Sequence, residues 1–408
     1  MKEKLLILGT GFAAIQIARN IDLKSYEVTI VSPRNYFLFT PLLASTAVGT
    51  LEFRSIIEPI RTARKGIQYI QGKCMRIDPA ACKLFCKTTD TVESFEIGYD
   101  HLVIAVGSAN NTFGVEGVEE HALFLKDIPD ARAIRVKLLS CLEQASAPNL
   151  APEERKRLLH FVVVGGGPTG VEFAGELNDF LVQDLAQGFP EIADELRVTL
   201  LEAKDRLLGT FDETLSNYTM RNFAARNIAV KKNTAVTRLR EKYVELEDGT
   251  QIPFGLIVWS GGIAPTALVA NSSFVSSSNS RIITNSNLEI EQETNIYAAG
   301  DCALVKGSDY PSTAQLAQQQ GRYLAKALNR KAKGKTIKPF RYHHMGMLAY
   351  IGNKQALADT PGPKLRGFLA WLMWRSVYIT KLVSFRNKVL VLFDWFKTKW
   401  FGRDISRF

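Results

Sequence analysis

Two glycine-rich hexapeptides and one Gly-Asp turn hold the residue types from which chemistry is expected. Gly9-Thr10-Gly11-Phe12-Ala13-Ala14 follows the apolar run Lys4-Leu5-Leu6-Ile7-Leu8 and opens a helical pattern that continues to Arg19. In such a turn the first glycine allows the tight bend, and the second lets backbone approach a pyrophosphate seated on the positive end of the helix. Gly165-Gly166-Gly167-Pro168-Thr169-Gly170 repeats the arrangement after the strand-like Leu159 to Val164. The strand after this second turn ends in Glu202, whose carboxylate can accept a bond from a ribose 2′-hydroxyl and repels a 2′-phosphate. That favours NADH, although Lys204 and Arg206 stand close by. The strand after the first turn ends in Ser32, which can bond a ribose with less discrimination. The third feature, Thr294 to Asp301, is a strand ending in Gly300-Asp301, a recurrent flavin signature in which Asp301 bonds a ribityl chain. Two nucleotide turns followed by this Gly-Asp imply two nucleotides, FAD and NADH.

The elements that must position these residues read as an α/β protein. Tyr26 to Val31, His101 to Gly107, Leu196 to Leu201 and Phe254 to Trp259 are short, buried-type strands. Ile67 to Ile97 reads as further short strands, and Ser312 to Leu328 as a helix. The expected architecture is two Rossmann-like dinucleotide-binding domains followed by an amphipathic C-terminal helical region. The boundaries are 1-112 for the first part of an FAD domain, 113-280 for an NADH domain, 281-340 for the remainder of the FAD domain, and 341-408 for a C-terminal region that the family resemblance given below implies to be membrane-anchoring and quinone-access.

The chain has 408 residues, enough for a large core, and with 46% hydrophobic against 23% charged residues disorder is not the default reading. Five cysteines (Cys74, Cys82, Cys86, Cys141, Cys302) form no CxxC pair and no zinc spacing, which fits a reducing compartment. His343 and His344 are adjacent, and the other three histidines are scattered, so no metal site is expected. The longest apolar run, Phe368 to Trp374, is far below the ~20 residues needed to span a bilayer. The N-terminal residues show neither a secretory nor an Arg/Ser-rich leader, so either no cleaved signal is needed or the chain begins after one.

Charge is uneven. From Lys364 onward there are ten Lys or Arg and two Asp, together with four of the five Trp (Trp371, Trp374, Trp395, Trp400). On a helix, Val389, Leu392, Phe393, Phe396 and Trp400 form one stripe, with Asp394, Lys397 and Thr398 on the opposite side. This pattern suits an interfacial helix on an anionic membrane. A helix packed on the core, or a dimer interface, would use the same residues. Nothing else in the chain suits nucleic acid, which is excluded as a partner.

The whole chain resembles the two-dinucleotide-domain flavoproteins, and within them the type II NADH:quinone oxidoreductases, especially the mitochondrial ones. The resemblance is carried by GTGFAA, SPRNYFLFTPLLASTAVGT, VVVGGGPTGVEFAGEL, IYAAGD, STAQLAQQQG, LAYIG and LFDWFKTKWFGRD. It implies FAD contacts from Gly9, Gly11, Phe12, Ala13, Ser32, Pro33, Arg34, Thr40, Pro41, Ala105, Gly107, Gly300, Asp301 and Gln315. It implies NADH contacts from Gly165, Gly167, Pro168, Thr169, Gly170, Glu172, Glu202, Gly261 and Gly262. The AQxAxQ quinone motif of the family falls on Gln315 and Gln319, and Tyr350 and Tyr378 are quinone-path candidates. Glu172, Gln315 and Gln319 are the expected catalytic residues. Taken by themselves, Gln315, Gln318, Gln319 and Gln320 would read as a solvated helix face.

Thr40 to Ile60 contains no cysteine where disulfide reductases of this fold carry a pair, and no cysteine lies between Cys141 and Cys302 where a sulfide:quinone reductase needs them. Direct transfer from nicotinamide to flavin is therefore expected, followed by two-electron reduction of ubiquinone or menaquinone without proton pumping. The expected setting is the periphery of the mitochondrial inner membrane, with the cytoplasmic face of a bacterial inner membrane as the alternative, and the expected assembly is a homodimer. The competing readings are a soluble NADH-dependent flavin reductase serving a small electron-transfer protein, and a redox-sensing interaction protein of the apoptosis-inducing-factor kind.

Overall fold

A computed structural model describes residues 2–89, 91 and 93–406, without the side chains of residues 186 and 187. Residues 1, 407 and 408, at the outer ends of the expected first and last domains, lie outside the described residues. The chain divides into two compact units. One comprises Met1–Leu38, Ile57–Ala109 and Ile263–His344; the other comprises Phe39–Ile56, Asn110–Gly262 and Met345–Phe408.

The first unit is built on a seven-stranded sheet in the spatial order Ile296–Ala298, His101–Ile104, Glu3–Leu8, Tyr26–Ser32, Ile67–Asp78, Lys83–Thr88 and Ser94–Gly98. The first five strands are parallel, and the last three form an antiparallel meander. Parallel strands covered on both faces read as continuous apolar runs, as in the fully buried Leu5, Leu6, Ile7 and Leu8. The order reverses at Glu3–Leu8, because the chain goes to Tyr26–Ser32 on one side and His101–Ile104 lies on the other. Doubly wound sheets place their ligand crevice at such a switch point, past the carboxyl end of the strand. The Phe12–Asn20 and Ala314–Lys331 helices pack together in this unit. Their approach needs Gly321, where a Cβ would lie 2.3 Å from the Ala13 carbonyl oxygen.

The second unit has a five-stranded parallel sheet in the order Leu123–Phe124, Leu256–Trp259, His160–Val164, Arg197–Leu201 and Ile228–Lys231. Its switch point is His160–Val164, leading into the Pro168–Gln183 helix. A three-stranded antiparallel sheet, Met347–Gly352, Gln355–Asp359 and Leu365–Gly367, lies on that helix. The contact is backbone to backbone at Gly175, where a Cβ would fall 2.8 Å from the Ile351 carbonyl carbon.

Two helices, Phe368–Lys381 and Phe385–Phe401, complete the second unit. Arg375 ties them together, stacked 4.8 Å from the Trp371 ring centroid and 3.9 Å from that of Trp395. The last helix is oriented against the usual rule for surface helices. Its apolar stripe, Val389, Leu392, Phe393, Phe396 and Trp400, is 47–68% exposed. Its polar side docks on the protein: Asp394 accepts from Glu52 N at 3.0 Å and Ser55 Oγ at 2.6 Å, Thr398 donates to Thr50 O, and Lys397 pairs with Glu52. Packing on the core through the stripe is thus not what the sequence does. No helix among the described residues is long and apolar enough to cross a membrane.

Candidate functional site

In the first unit, Gly9 has φ +106°, and a Cβ there would meet the Ala105 carbonyl oxygen at 2.3 Å, so only glycine permits this turn. Gly11 is the N-cap of the Phe12–Asn20 helix and supplies no side-chain cap; a Cβ on it would touch nothing within 4 Å. The approach to the positive end of this helix is therefore open at Gly11, as a pyrophosphate requires. Of the residues around this turn, Phe12 stacks edge-on against Phe37 and Ala13 is buried, so Ala13 can offer a ligand only backbone. Ser32 is buried, and its hydroxyl meets Thr10 Oγ1 and accepts from Arg34 N, both at 3.3 Å. Pro33 is exposed, and Arg34 lies over the Tyr36 ring.

The Gly-Asp turn belongs to the same unit. Ser108 Oγ donates to Asp301 at 2.9 Å, next to Gly107, whose Cα side is open. Gly300 N donates to Gln320 Oε1 at 2.7 Å. Gln320 is only 1% exposed, and Gln318 is buried as well, so half of the glutamine run is interior rather than a solvated face. The other half is held by the segment after the helix. Gln315 Oε1 accepts from Tyr342 Oη at 2.7 Å. Gln319 bonds the His343 backbone in both directions, Nε2 to O at 2.8 Å and N to Oε1 at 3.0 Å.

The second unit repeats the cradle. Gly165 has φ +105°, Gly167 is an N-cap without a side-chain cap and with open space beyond it, and Pro168 and Thr169 are exposed. At Gly170 a Cβ would lie 1.9 Å from the Gly165 carbonyl oxygen, so helix and turn are in close contact. Glu202 accepts from Gly166 N at 2.6 Å and Lys204 N at 2.8 Å, which fixes its carboxylate beside the turn with lone pairs left for a ribose. Gly261 and Gly262 follow the neighbouring strand, Gly262 being exposed. Thr40, exposed, and Pro41, half-buried, also fall in this unit.

The Pro168–Gln183 helix continues from the cradle into an acid row. Glu172, Glu176 and Asp179 lie at i, i+4 and i+7, on one helical face. Glu172 keeps slight solvent access, but its carboxyl sits among protein atoms. It accepts from Tyr350 N at 3.1 Å. Burial pushes its pKa up to about 8; Tyr350 N–H and the Trp374 indole, which makes no hydrogen bond of ordinary length, pull it down, and Glu176 pushes it further up. Tyr378 and Trp374 complete the surroundings, their rings 4.9 Å apart, and burial followed by the Glu172 charge raises the Tyr378 pKa well above the ordinary value. Asp179 accepts from Tyr350 Oη at 2.6 Å and from Asn353 N, and pairs with Arg226.

The arrangement offers two dinucleotide cradles, one per unit. It also offers a carboxyl that stays protonated near neutral pH beside two aromatic rings, which can hand a proton to a reducible carbonyl. Glu176 and Asp179 escaped the sequence reading, and Gln320 entered it only as part of a solvated helix face, which its burial contradicts. The first two were visible as acids on the apolar face of VEFAGELNDFL; nothing in the glutamine run marked Gln320 out from its neighbours.

Comparison with known proteins bears on both units. Residues 3–321 match the model of the pyridine nucleotide-disulphide oxidoreductase family, and residues 344–404 match the NDH2 C-terminal domain. A Dictyostelium discoideum protein described as "Probable NADH dehydrogenase" is 47% identical over 412 residues, covering 100% of this chain and 91% of that protein. The mitochondrial internal alternative NAD(P)H-ubiquinone oxidoreductase A1 of Arabidopsis thaliana is 39% identical, covering 100% and 86%. The solved structure of NDH2 from Plasmodium falciparum in complex with NADH matches with a TM-score of 0.96 at 30% identity, covering 100% of both chains.

Proposed function

Since this chain belongs to the pyridine nucleotide-disulphide oxidoreductases and, within them, to the type II NADH dehydrogenases that carry the NDH2 C-terminal domain, we propose that it oxidises NADH and reduces a membrane ubiquinone in an FAD-dependent reaction that moves no protons across the membrane. FAD, when bound, supplies the two-electron carrier between nicotinamide and quinone. The first unit holds it through the uncapped helix end at Gly11, the Gly107 turn and Asp301. The second unit holds NADH through Gly167 to Gly170 and Glu202. Glu172 holds a proton for the quinone oxygen in a pocket kept dry by Trp374 and Tyr378. Gln315 and Gln319, fixed by Tyr342 and His343, shape the quinone end of the Ala314–Lys331 helix in the first unit.

The observation that carries the membrane reading is the outward apolar stripe of the Phe385–Phe401 helix, whose polar side is already engaged. A soluble reductase has no use for five large apolar side chains held in water. With lysines and arginines around it, the stripe suits a peripheral seat on the anionic mitochondrial inner membrane. The relatives named for ubiquinone and for mitochondria support that substrate and that setting.

The test is NADH oxidation by the full chain loaded with FAD, with and without a short-chain ubiquinone. Fast quinone-dependent turnover is expected. Bleaching of bound flavin by NADH without reoxidation by quinone would overturn the reading in favour of a protein acceptor or a sensor.

A further inference from the structure

Glu176 is 4% exposed and sits one helical turn from Glu172. A lone carboxylate there would take up a proton, because burial disfavours its charge. Burial, joined by the Asp179 charge, holds its pKa above the ordinary carboxylate value; Arg403 is the main group pulling it back toward the charged form, and Ser45 and Thr50 act in the same direction. Ser45 Oγ lies 2.7 Å from Oε1, and Thr50 Oγ1 lies 2.8 Å from Oε2. Thr50 Oγ1 in turn receives the Nε–H of Arg403 at 2.9 Å. A guanidinium only donates, so Thr50 Oγ1 is the acceptor there and keeps its own proton for Glu176 Oε2. Arg403 Nη2 itself is 3.8 Å from Glu176 Oε2.

The Arg403 side chain is 6% exposed and follows Gly402, the cap of the Phe385–Phe401 helix. Its Nη1 binds Asp184 Oδ2 at 2.6 Å and reaches Gln183, and its backbone N–H binds Asp184 Oδ1 at 2.8 Å. Asp184 is thus the arginine's close partner. Glu176 is the more distant one, and its charge is only partly offset. The remaining groups facing the row are Asp179, paired with Arg226, and Tyr350 from the Met347–Gly352 strand, with Trp374 and Tyr378 from the Phe368–Lys381 helix against Glu172. Among the described residues the other cations near the row are Arg226, engaged by Asp179, and Arg375, stacked on Trp371 and Trp395 and acting on Tyr350.

We propose that Arg403 is a positioning residue for Glu172: through Thr50 and Glu176 it maintains a negative charge one helical turn away, and that charge helps Glu172 keep its proton at neutral pH. The inference rests on the functional reading of Glu172. It makes the docking of the C-terminal segment and the protonation of an acid near the cradle one linked event. It also fixes a sign. Removing Arg403 lets Glu176 take a proton, Glu172 loses its like-charged neighbour, and Glu172 ionises at lower pH. Glu176→Gln acts in the same direction, and the double variant does no more than either single one. Were Arg403 instead acting on Glu172 directly as a cation, its loss would move Glu172 the opposite way.

The experiment uses the full chain loaded with FAD. Two things are followed from pH 5 to 10: the pH profile of quinone-dependent kcat, and the protonated-carboxyl stretch by infrared titration, which is independent of turnover. In wild type the rate is expected to fall through a basic limb that Glu172→Gln abolishes. In Arg403→Gln, Glu176→Gln and the double variant, the limb and the carboxyl titration are expected to move down together by about one pH unit, tenfold in proton affinity. Arg403→Lys, which keeps the cation, should restore most of the wild-type profile. If Glu172→Gln leaves the limb in place, the reading of Glu172 itself fails. If Glu172→Gln removes the limb but the Arg403 and Glu176 variants only lower kcat at unchanged profile, or shift it upward, the present inference is overturned.

Discussion

Tyr350 donates its hydroxyl to Asp179 Oδ2 at 2.6 Å while its own backbone N–H is bonded to Glu172. One residue of the Met347–Gly352 strand thus reads two members of the acid row. Tyr350→Phe removes one hydrogen bond to a charged acceptor and leaves the N–H in place. A loss of roughly 1–2 kcal/mol in unfolding free energy is expected, with the pH profile unchanged. Chemical denaturation measures the first and steady-state kinetics the second. An increase in KM for quinone at unaltered stability would instead put the Tyr350 ring on the quinone path.

The pH dependence of stability follows from Glu172. Its pKa is raised on folding from 4.5 to about 8, burial being the main cause. The native state therefore favours the protonated form. This contribution is complete below pH 4.5 and is lost as pH rises through 8, because the folded chain must then ionise a buried acid. Glu172→Gln should match wild type in unfolding free energy near pH 5 and exceed it by up to about 4 kcal/mol at pH 9. Equal stability at pH 9 would mean that Glu172 is solvated in the folded state.

Nucleotide choice rests on Glu202, whose carboxylate is fixed by Gly166 N and Lys204 N. Glu202→Ser removes the ribose acceptor and the repulsion of a 2′-phosphate while Lys204 and Arg206 remain. KM for NADH should rise about tenfold and NADPH should become a usable donor, since each ribose hydrogen bond to a charged group is worth about 1.5–3 kcal/mol. Unchanged discrimination in a two-substrate comparison would remove Glu202 from the site.

The exposed stripe predicts vesicle binding. Replacing Phe393, Phe396 and Trp400 by Ser removes three aromatic side chains from the apolar face, each worth roughly 1.5–3 kcal/mol when buried in lipid. Sedimentation with anionic vesicles should show at least a hundredfold weaker binding, with turnover on a water-soluble quinone retained. If the variant still binds vesicles but changes from dimer to monomer, the stripe is a subunit interface.

The interior of the Ala314–Lys331 helix gives a further stability test. Gln320→Leu would leave the Gly300 N–H, now bonded to Gln320 Oε1, without an acceptor. A loss of about 1–3 kcal/mol is expected, because a buried donor is left unsatisfied. Loss of bound flavin absorbance before unfolding would show that the Gly300-Asp301 turn depends on this bond.

How much of this was legible in the sequence varies with the range of the interaction concerned. Both cradles were legible, since strand, glycine turn and helix are contiguous and the backbone demands glycine at Gly9 and Gly165. The register of the final helix was legible too, because helical periodicity is local. What that register meant was not: Asp394 and Thr398 look like a solvated face until Ser55 and Thr50, more than 300 residues away, are seen to occupy it. The glutamine run divides in the same way. Its periodicity cannot tell Gln320, which turns to Gly300, from Gln319, which turns to His343. Arg403 was one cation among ten in a basic tail, and only its partners Thr50, Glu176 and Asp184 set it apart.

The inverted orientation of the Phe385–Phe401 helix bears on how the protein can be handled. An ordinary amphipathic anchor can let go of its domain in detergent, because micelle and core compete for one apolar face. Here the micelle and the protein grip opposite faces of the helix. Mild detergent should cap the stripe and lift the molecule from the bilayer with its last helix still seated on Glu52 and Ser55, whereas washing without detergent should leave the stripe in search of another apolar surface and drive the preparation to aggregate.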